Sequence, residues 1–269
     1  KSGDIVLSAF GTYQGCAARR ARLCHSKNGL IVANNPITER TTPSALPPST
    51  VEHMTDWLDA HSGVQGNVAE GFEPVARAFV DNFAERNETG ASVCVYVDGG
   101  PVVNLWGGVA NHKTNEPWRK ESASVVFSTT KGAAAICVAM LAQQGKLDYH
   151  EPVATYWPEF AAQGKADITV GQLMSHQAGL AYADPPLPLE EILKVTPVVE
   201  TLAAQAPAWE PGTKHGYHAL TFGWLAGELV RRIDGRTIGR YFAEEVAGPL
   251  ALDFWIGLPE DQEWRVARL

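Results

Sequence analysis

Ser128-Thr129-Thr130-Lys131 places a hydroxyl and an amine three residues apart at the opening of a run of small apolar residues. Residues at i and i+3 share a helix face, so a helix beginning here lays the amine beside the hydroxyl. A serine is a weak nucleophile until a neighbouring base takes its proton. A lysine held among apolar walls and other cations can lose its charge and help do that. The bland reading makes Ser128 an N-cap and Lys131 a solvated first-turn residue. Against it, a cation at a helix N-terminus opposes the positive end of the helix dipole. The four residues alone are a weak pattern, and their surroundings decide the weight.

Downstream of Lys131 the run continues through Ala133, Ala134, Ile136, Cys137, Met140 and Leu141 to Gly145, a good C′ residue. Its surface is small and apolar all round, which predicts a central, buried helix. Upstream, Phe72–Arg86 carries apolar residues at helical spacing. Ala91–Val97 reads as a strand, Asp98-Gly99-Gly100 as a hairpin turn, and Val102 to about Val109 as the returning strand. Further along, Thr169 caps a short helix ending before Gly179. Thr196-Pro197 opens another, running to about Gln205. His218–Ile233 is a further apolar helix, and Thr237 caps one ending near Gly248. Strands followed by a helical run give an α+β class.

Residues 1–53 differ from the rest. They carry Arg19, Arg20, Arg22, two cysteines and a Thr/Pro/Ser run from Thr41 to Thr50, with poor periodicity. They are set apart as a leader without assigned structure, native or appended, since the first methionine is Met54. The domain proper is expected over 54–269.

The composition excludes several classes. A net charge of −8 argues against a nucleic-acid partner, which needs a basic face. No uncharged apolar run is long enough to span a bilayer. Cys16, Cys24, Cys94 and Cys137 lack zinc-ligand spacing, and Cys94 and Cys137 lie in apolar segments as buried thiols. With no signal peptide read at the N-terminus, a reducing, cytoplasmic setting is the expectation. Gly-x-Ser-x-Gly, His-Glu-x-x-His, Walker A and Gly-x-Gly-x-x-Gly patterns are missing, so no cofactor or metal is implied.

Four segments, in order, carry a family resemblance. They are Val126-Phe-Ser-Thr-Thr-Lys-Gly132; Gly145-Lys-Leu-Asp148 with Pro152-Val153 and Tyr156-Trp-Pro158; Leu173-Met-Ser-His-Gln-Ala-Gly-Leu180; and Trp209-Glu-Pro-Gly212 leading to Tyr217. Over roughly residues 70–260 the chain resembles the serine β-lactamase and penicillin-binding protein superfamily, within it the class C-like enzymes and family VIII carboxylesterases. The resemblance implies a β-lactamase/transpeptidase-like fold, an antiparallel sheet plus a helical domain. It also implies a serine hydrolase acting through an acyl-enzyme, with Ser128 as nucleophile, Lys131 as its amine partner and Tyr217 as tyrosine base. Tyr182 and His218 are candidates for contact with substrate; Tyr241 is read as core and His176 as the residue that orders its turn.

Two departures from the family pattern matter. The tyrosine box reads Tyr217-His218-Ala219, with no polar side chain at its third position. That tilts the expected substrate from lactams toward short-chain carboxylic esters. No third box, the Lys-Thr-Gly type, follows Tyr217, so the domain is read as truncated at its C-terminus. The late strands that pair with the early hairpin are then expected beyond Leu269. A β-lactamase or D-Ala-D-Ala carboxypeptidase, and a non-catalytic binding domain of the same fold, are the alternatives.

Overall fold

The computed structural model describes residues 63–268, together with the backbone of two strands, β1 (Ile5–Gly11) and β2 (Leu30–Ala33). Cys16, Cys24 and the Thr41–Thr50 run, with most of the expected leader, lie outside the described residues. The described residues form two compact units. Among the described residues, one holds the sheet up to Val125 together with residues 258–268, and the other is Val126–Gly257 with Leu30 of β2.

The sheet unit is built on the expected hairpin. β4 (Gly90–Val97) and β5 (Gly100–Asn111) pair antiparallel. Asp98 and Gly99 turn between them at φ of 51° and 78°, the left-handed pair that a two-residue hairpin of matching twist requires. β3 (Gln65–Val68) lies along the other edge of β5, and the short β6 (Glu116–Pro117) pairs with its far end. A neighbour that the sequence reading did not assign lies on the other side of β4: β1 runs antiparallel to it from Ile5 opposite Val97 to Gly11 opposite Ala91. Helix α1 (Glu73–Glu85), with Pro74 in its first turn, buries Ala76 and Phe79 in the core formed by Val93, Val95, Val103 and Leu105. After β7 (Ala123–Phe127), the last described residues return to this unit. Ala267 N–H bonds to Ala123 O at 2.8 Å and Arg268 N–H to Ala110 O at 2.7 Å.

The helical unit starts where β7 ends. Helix α2 (Thr130–Gln143) buries Ala133, Ala134, Cys137, Val138 and Leu141. It stops at Gly145, φ 69°, where Lys146 N–H turns back to Leu141 O at 3.0 Å. Short helices α3 (Val153–Tyr156), α4 (Val170–Met174) and α5 (Leu189–Leu193) lead to α6 (Thr196–Ala204). α4 opens on the capping box of Thr169 and Gln172. Helices α7 (Thr221–Asp234) and α8 (Ile238–Phe242) complete the unit. Phe222, Leu225, Leu229, Tyr241 and Phe242 join the α2 residues in one core. A fully buried Leu such as Leu141 or Leu225 stabilises by roughly 1.5–3 kcal/mol over an exposed one. One expectation is corrected here. α2 is not buried all round: Ile136 is 49% exposed, and Gly132 and Ala139 on the same line are exposed too. Apolar composition measures what a helix can bury, not how much it does. The thiols separate as well: Cys137 is buried, and burial pushes it up to about 11, whereas Cys94 is only partly buried.

Candidate active site

The turn from β7 into α2 carries the nucleophile candidate. Phe127, the last strand residue, has φ 47°, a left-handed conformation that is costly for an aromatic side chain. It is held by Thr130 Oγ1, which donates to Phe127 O at 2.5 Å, and by Lys131 N–H, which donates to Ser128 O at 3.1 Å. The helix begins at Thr130, so Ser128 stands in the sharp turn just before it rather than as its opening residue. Even so, the tight turn keeps the two side chains together: Lys131 Nζ donates to Ser128 Oγ at 2.9 Å.

Lys131 reaches a second segment, 88 residues away in sequence, where its Nζ donates to Ala219 O at 2.7 Å. Sequence reasoning missed this acceptor, because a backbone carbonyl leaves no signal in residue type. The position without a polar side chain thus still binds the amine. Lys131 Nζ also lies 4.8 Å from the Tyr217 ring centroid and 5.9 Å from that of Phe222, an apolar wall that is 3% exposed. Partial burial alone would raise the Tyr217 phenol's pKa. The neighbouring side chains of Ser128 and Lys131, with the Lys131 charge, outweigh it and hold the phenol below the ordinary tyrosine value. The ring is 55% exposed, so the hydroxyl cluster opens to solvent.

Tyr217 lies on a segment without regular structure, and its position depends on neighbours. Trp209 Nε1 donates to Lys214 O at 3.2 Å, which folds the indole over Gly216. A Cβ at Gly216 would lie 2.3 Å from Trp209 Cη2, so only glycine fits there. The turn containing His176 supplies the other side. Gly216 N–H donates to His176 O at 3.1 Å and His218 N–H to His176 Nδ1 at 3.1 Å. Leu180 N–H donates to His218 Nε2 at 3.0 Å, and Thr221 Oγ1 donates to Leu180 O at 2.6 Å. His176 thus orders its turn as expected.

The expectation that His218 touches substrate is corrected. Its ring is 0% exposed, with Nε2 accepting from Leu180 and Nδ1 against Gly216 O at 2.6 Å, and burial keeps it neutral. It is a buried cross-brace. Tyr182 is 56% exposed, its carbonyl accepting from Gln205 Nε2 at 3.0 Å. Tyr241 is fully buried, as read. Among the described residues, no group of three or more His, Cys, Asp and Glu could hold a metal ion. No helix among them is long and apolar enough to cross a membrane.

Comparison with known proteins bears on the family and the fold. The chain is 42% identical over 216 residues to the esterase/beta-lactamase LipL of Mycobacterium tuberculosis (strain ATCC 25618 / H37Rv), covering 80% of this chain and 50% of LipL. A crystal structure of a family VIII carboxylesterase is similar at a TM-score of 0.72 and 44% identity, over 77% of this chain and 57% of that one. A penicillin-binding protein homologue from Caulobacter crescentus matches with a TM-score of 0.72 and 42% identity, over 77% and 56%. The chain therefore spans about half the length of these relatives. The fold is the β-lactamase/transpeptidase-like one, helices with an antiparallel sheet. The family model described as Beta-lactamase matches residues 75–269, and the chain belongs to that family.

Proposed function

We propose that this chain carries the acylation machinery of a serine hydrolase whose substrates are short-chain carboxylic esters. The observation that carries the reading is the triangle of Ser128, Lys131 and Tyr217, with the amine 2.9 Å from the hydroxyl and 4.8 Å from the centre of the tyrosine ring. Tyr217, held toward its phenolate by the Lys131 ammonium, takes the proton as Ser128 Oγ attacks the ester carbonyl. The tetrahedral intermediate collapses, the C–O bond to the alcohol breaks, and the same proton passes to the leaving alkoxide. Water then repeats the sequence on the acyl-enzyme and releases the acid. The Ser128 backbone N–H, at the positive end of α2, is the candidate oxyanion donor from this segment.

Ester preference is supported by Ala219, which offers no polar side chain to a lactam, and by the carboxylesterase among the similar structures. The name of LipL, esterase/beta-lactamase, supports a second reading in which lactams are also opened. The test is a stopped-flow comparison of p-nitrophenyl acetate and a chromogenic cephalosporin. A nitrophenol burst with slow cephalosporin turnover is expected. Faster cephalosporin turnover reverses the order of the two readings, and no turnover of either favours a non-catalytic binding domain.

A further inference from the structure

We infer that His176 is a positioning residue that clamps the backbone on both sides of Tyr217 and so holds its phenol against Ser128 and Lys131. The clamp has two jaws. The His176 carbonyl takes Gly216 N–H at 3.1 Å, and the His176 Nδ1 takes His218 N–H at 3.1 Å. Tyr217 is the one residue between these two donors. The imidazole also packs on the ring it positions, with centroids 5.0 Å apart, and on Phe222 at 5.2 Å.

A geometric detail argues that the side chain is there for this purpose. His176 has φ 64°, which most residues avoid and which histidine, asparagine and aspartate tolerate better. That backbone turn aims carbonyl and side chain at the same strand of chain. Because Nδ1 accepts a backbone N–H, the ring proton resides on Nε2. A protonated ring would have no acceptor, so the side-chain jaw works only on neutral histidine. The charged and titratable groups facing it are Lys131 on α2 and His215, Tyr217 and His218 on the neighbouring segment. Burial first, then the repulsion of its proton by His218, Lys131 and His215, lower His176 from 6.5 to about 4, so the jaw is closed at neutral pH.

The inference rests on Tyr217 being the group that takes the Ser128 proton, and the test separates the two. Asparagine keeps an acceptor near the Nδ1 position and tolerates the left-handed backbone, but has no ring. Phenylalanine keeps a ring and has no acceptor. With tyrosine labelled at ¹³Cζ, NMR follows the titration of the Tyr217 phenol in the wild type, His176→Asn and His176→Phe. Stopped flow follows acylation by p-nitrophenyl acetate in parallel. His176→Asn should keep the low phenol titration and acylate within about threefold of wild type. His176→Phe should return the phenol toward the ordinary ~10 and lose at least about tenfold in kcat with KM little changed. Wild-type behaviour of His176→Phe, or an equal fall in His176→Asn, overturns the clamp. Should His176→Phe fail to fold, His176→Asn decides by the same two readouts. Tyr217→Phe is the control for the underlying reading. If it acylates normally, the base role falls, while the phenol titration still reports whether His176 holds the ring.

Discussion

Lys131→Met tests the chemistry of the cluster at one atom. Methionine matches the lysine stem, so the wall against Phe222 stays filled, but it can neither donate nor carry charge. Two contacts vanish, the 2.9 Å bond to Ser128 Oγ and the 2.7 Å bond to Ala219 O. The Ala219 carbonyl is open to water, so the fold loses little. The larger effect falls on Tyr217. Burial acts to raise its pKa and the Lys131 ammonium acts to lower it. Without the lysine the phenol moves up toward ~10 or beyond. Loss of a general acid–base partner typically costs about 10²–10⁴-fold. The sign of the pH dependence follows: the deficit should be greatest near neutrality, where the mutant phenol stays protonated, and should shrink as pH rises toward the new phenol pKa. The assay is the acylation burst with p-nitrophenyl acetate from pH 6 to about 10, with thermal unfolding alongside. A loss under about tenfold, or one independent of pH, would refute the reasoning.

Gly216→Ala should lower the thermal midpoint by the equivalent of about 1–3 kcal/mol and weaken acylation, because its Cβ meets the Trp209 ring, which is held at Lys214 O; wild-type values in both assays would contradict that. Lys165 is 0% exposed and its ammonium donates to Ala162 O at 2.7 Å and to Gln205 O. Lys165→Met should cost about 1–3 kcal/mol in urea unfolding by orphaning those carbonyls, and an unchanged midpoint would mean that they find other donors. Acid should destabilise the helical unit in two stages. His176 titrates near 6.5 unfolded but at about 4 folded, so stability present above 6.5 falls as pH drops from 6.5 toward 4. Glu228 is held low by Arg231 and Arg232 despite burial, so its contribution disappears as the pH falls below the ordinary carboxylate range. In thermal melts across pH, His176→Asn should reduce the slope of the first stage, which the buried His218 shares, and leave the second unchanged; an unaltered first-stage slope would remove His176 as a cause.

Local chemistry made much of this structure legible. The Asp98-Gly99 turn needs left-handed backbone, and the sequence offers residues that accept it. Thr169 with Gln172, and Gly145 after an apolar run, mark helix ends through bonds to their own neighbours. Ser128 and Lys131 could be paired from their spacing. Tyr217 came from family likeness, since no local rule brings a residue from 86 positions beyond Lys131 to its amine. Long-range contacts account for what stayed hidden. The pairing of β1 with β4 is a ladder between distant segments, and Ile5–Gly11 precedes an arginine- and cysteine-rich stretch that masks its apolar alternation. His218, next to Tyr217, reads in the sequence as a candidate for contact with substrate. Its burial depends on Leu180 N–H, which only the fold places at its Nε2. Val195, rather than Thr196, precedes the first turn of α6, a shift of one residue at a helix end.

The central claim is that Ser128 becomes covalently acylated. Intact-mass spectrometry after incubation with a fluorophosphonate, followed by peptide mapping, tests it most directly. A single adduct on the peptide containing Ser128, absent from Ser128→Ala and slowed in Lys131→Met and Tyr217→Phe, is the predicted result. An adduct of equal yield on Ser128→Ala, or none on the wild type, would contradict it.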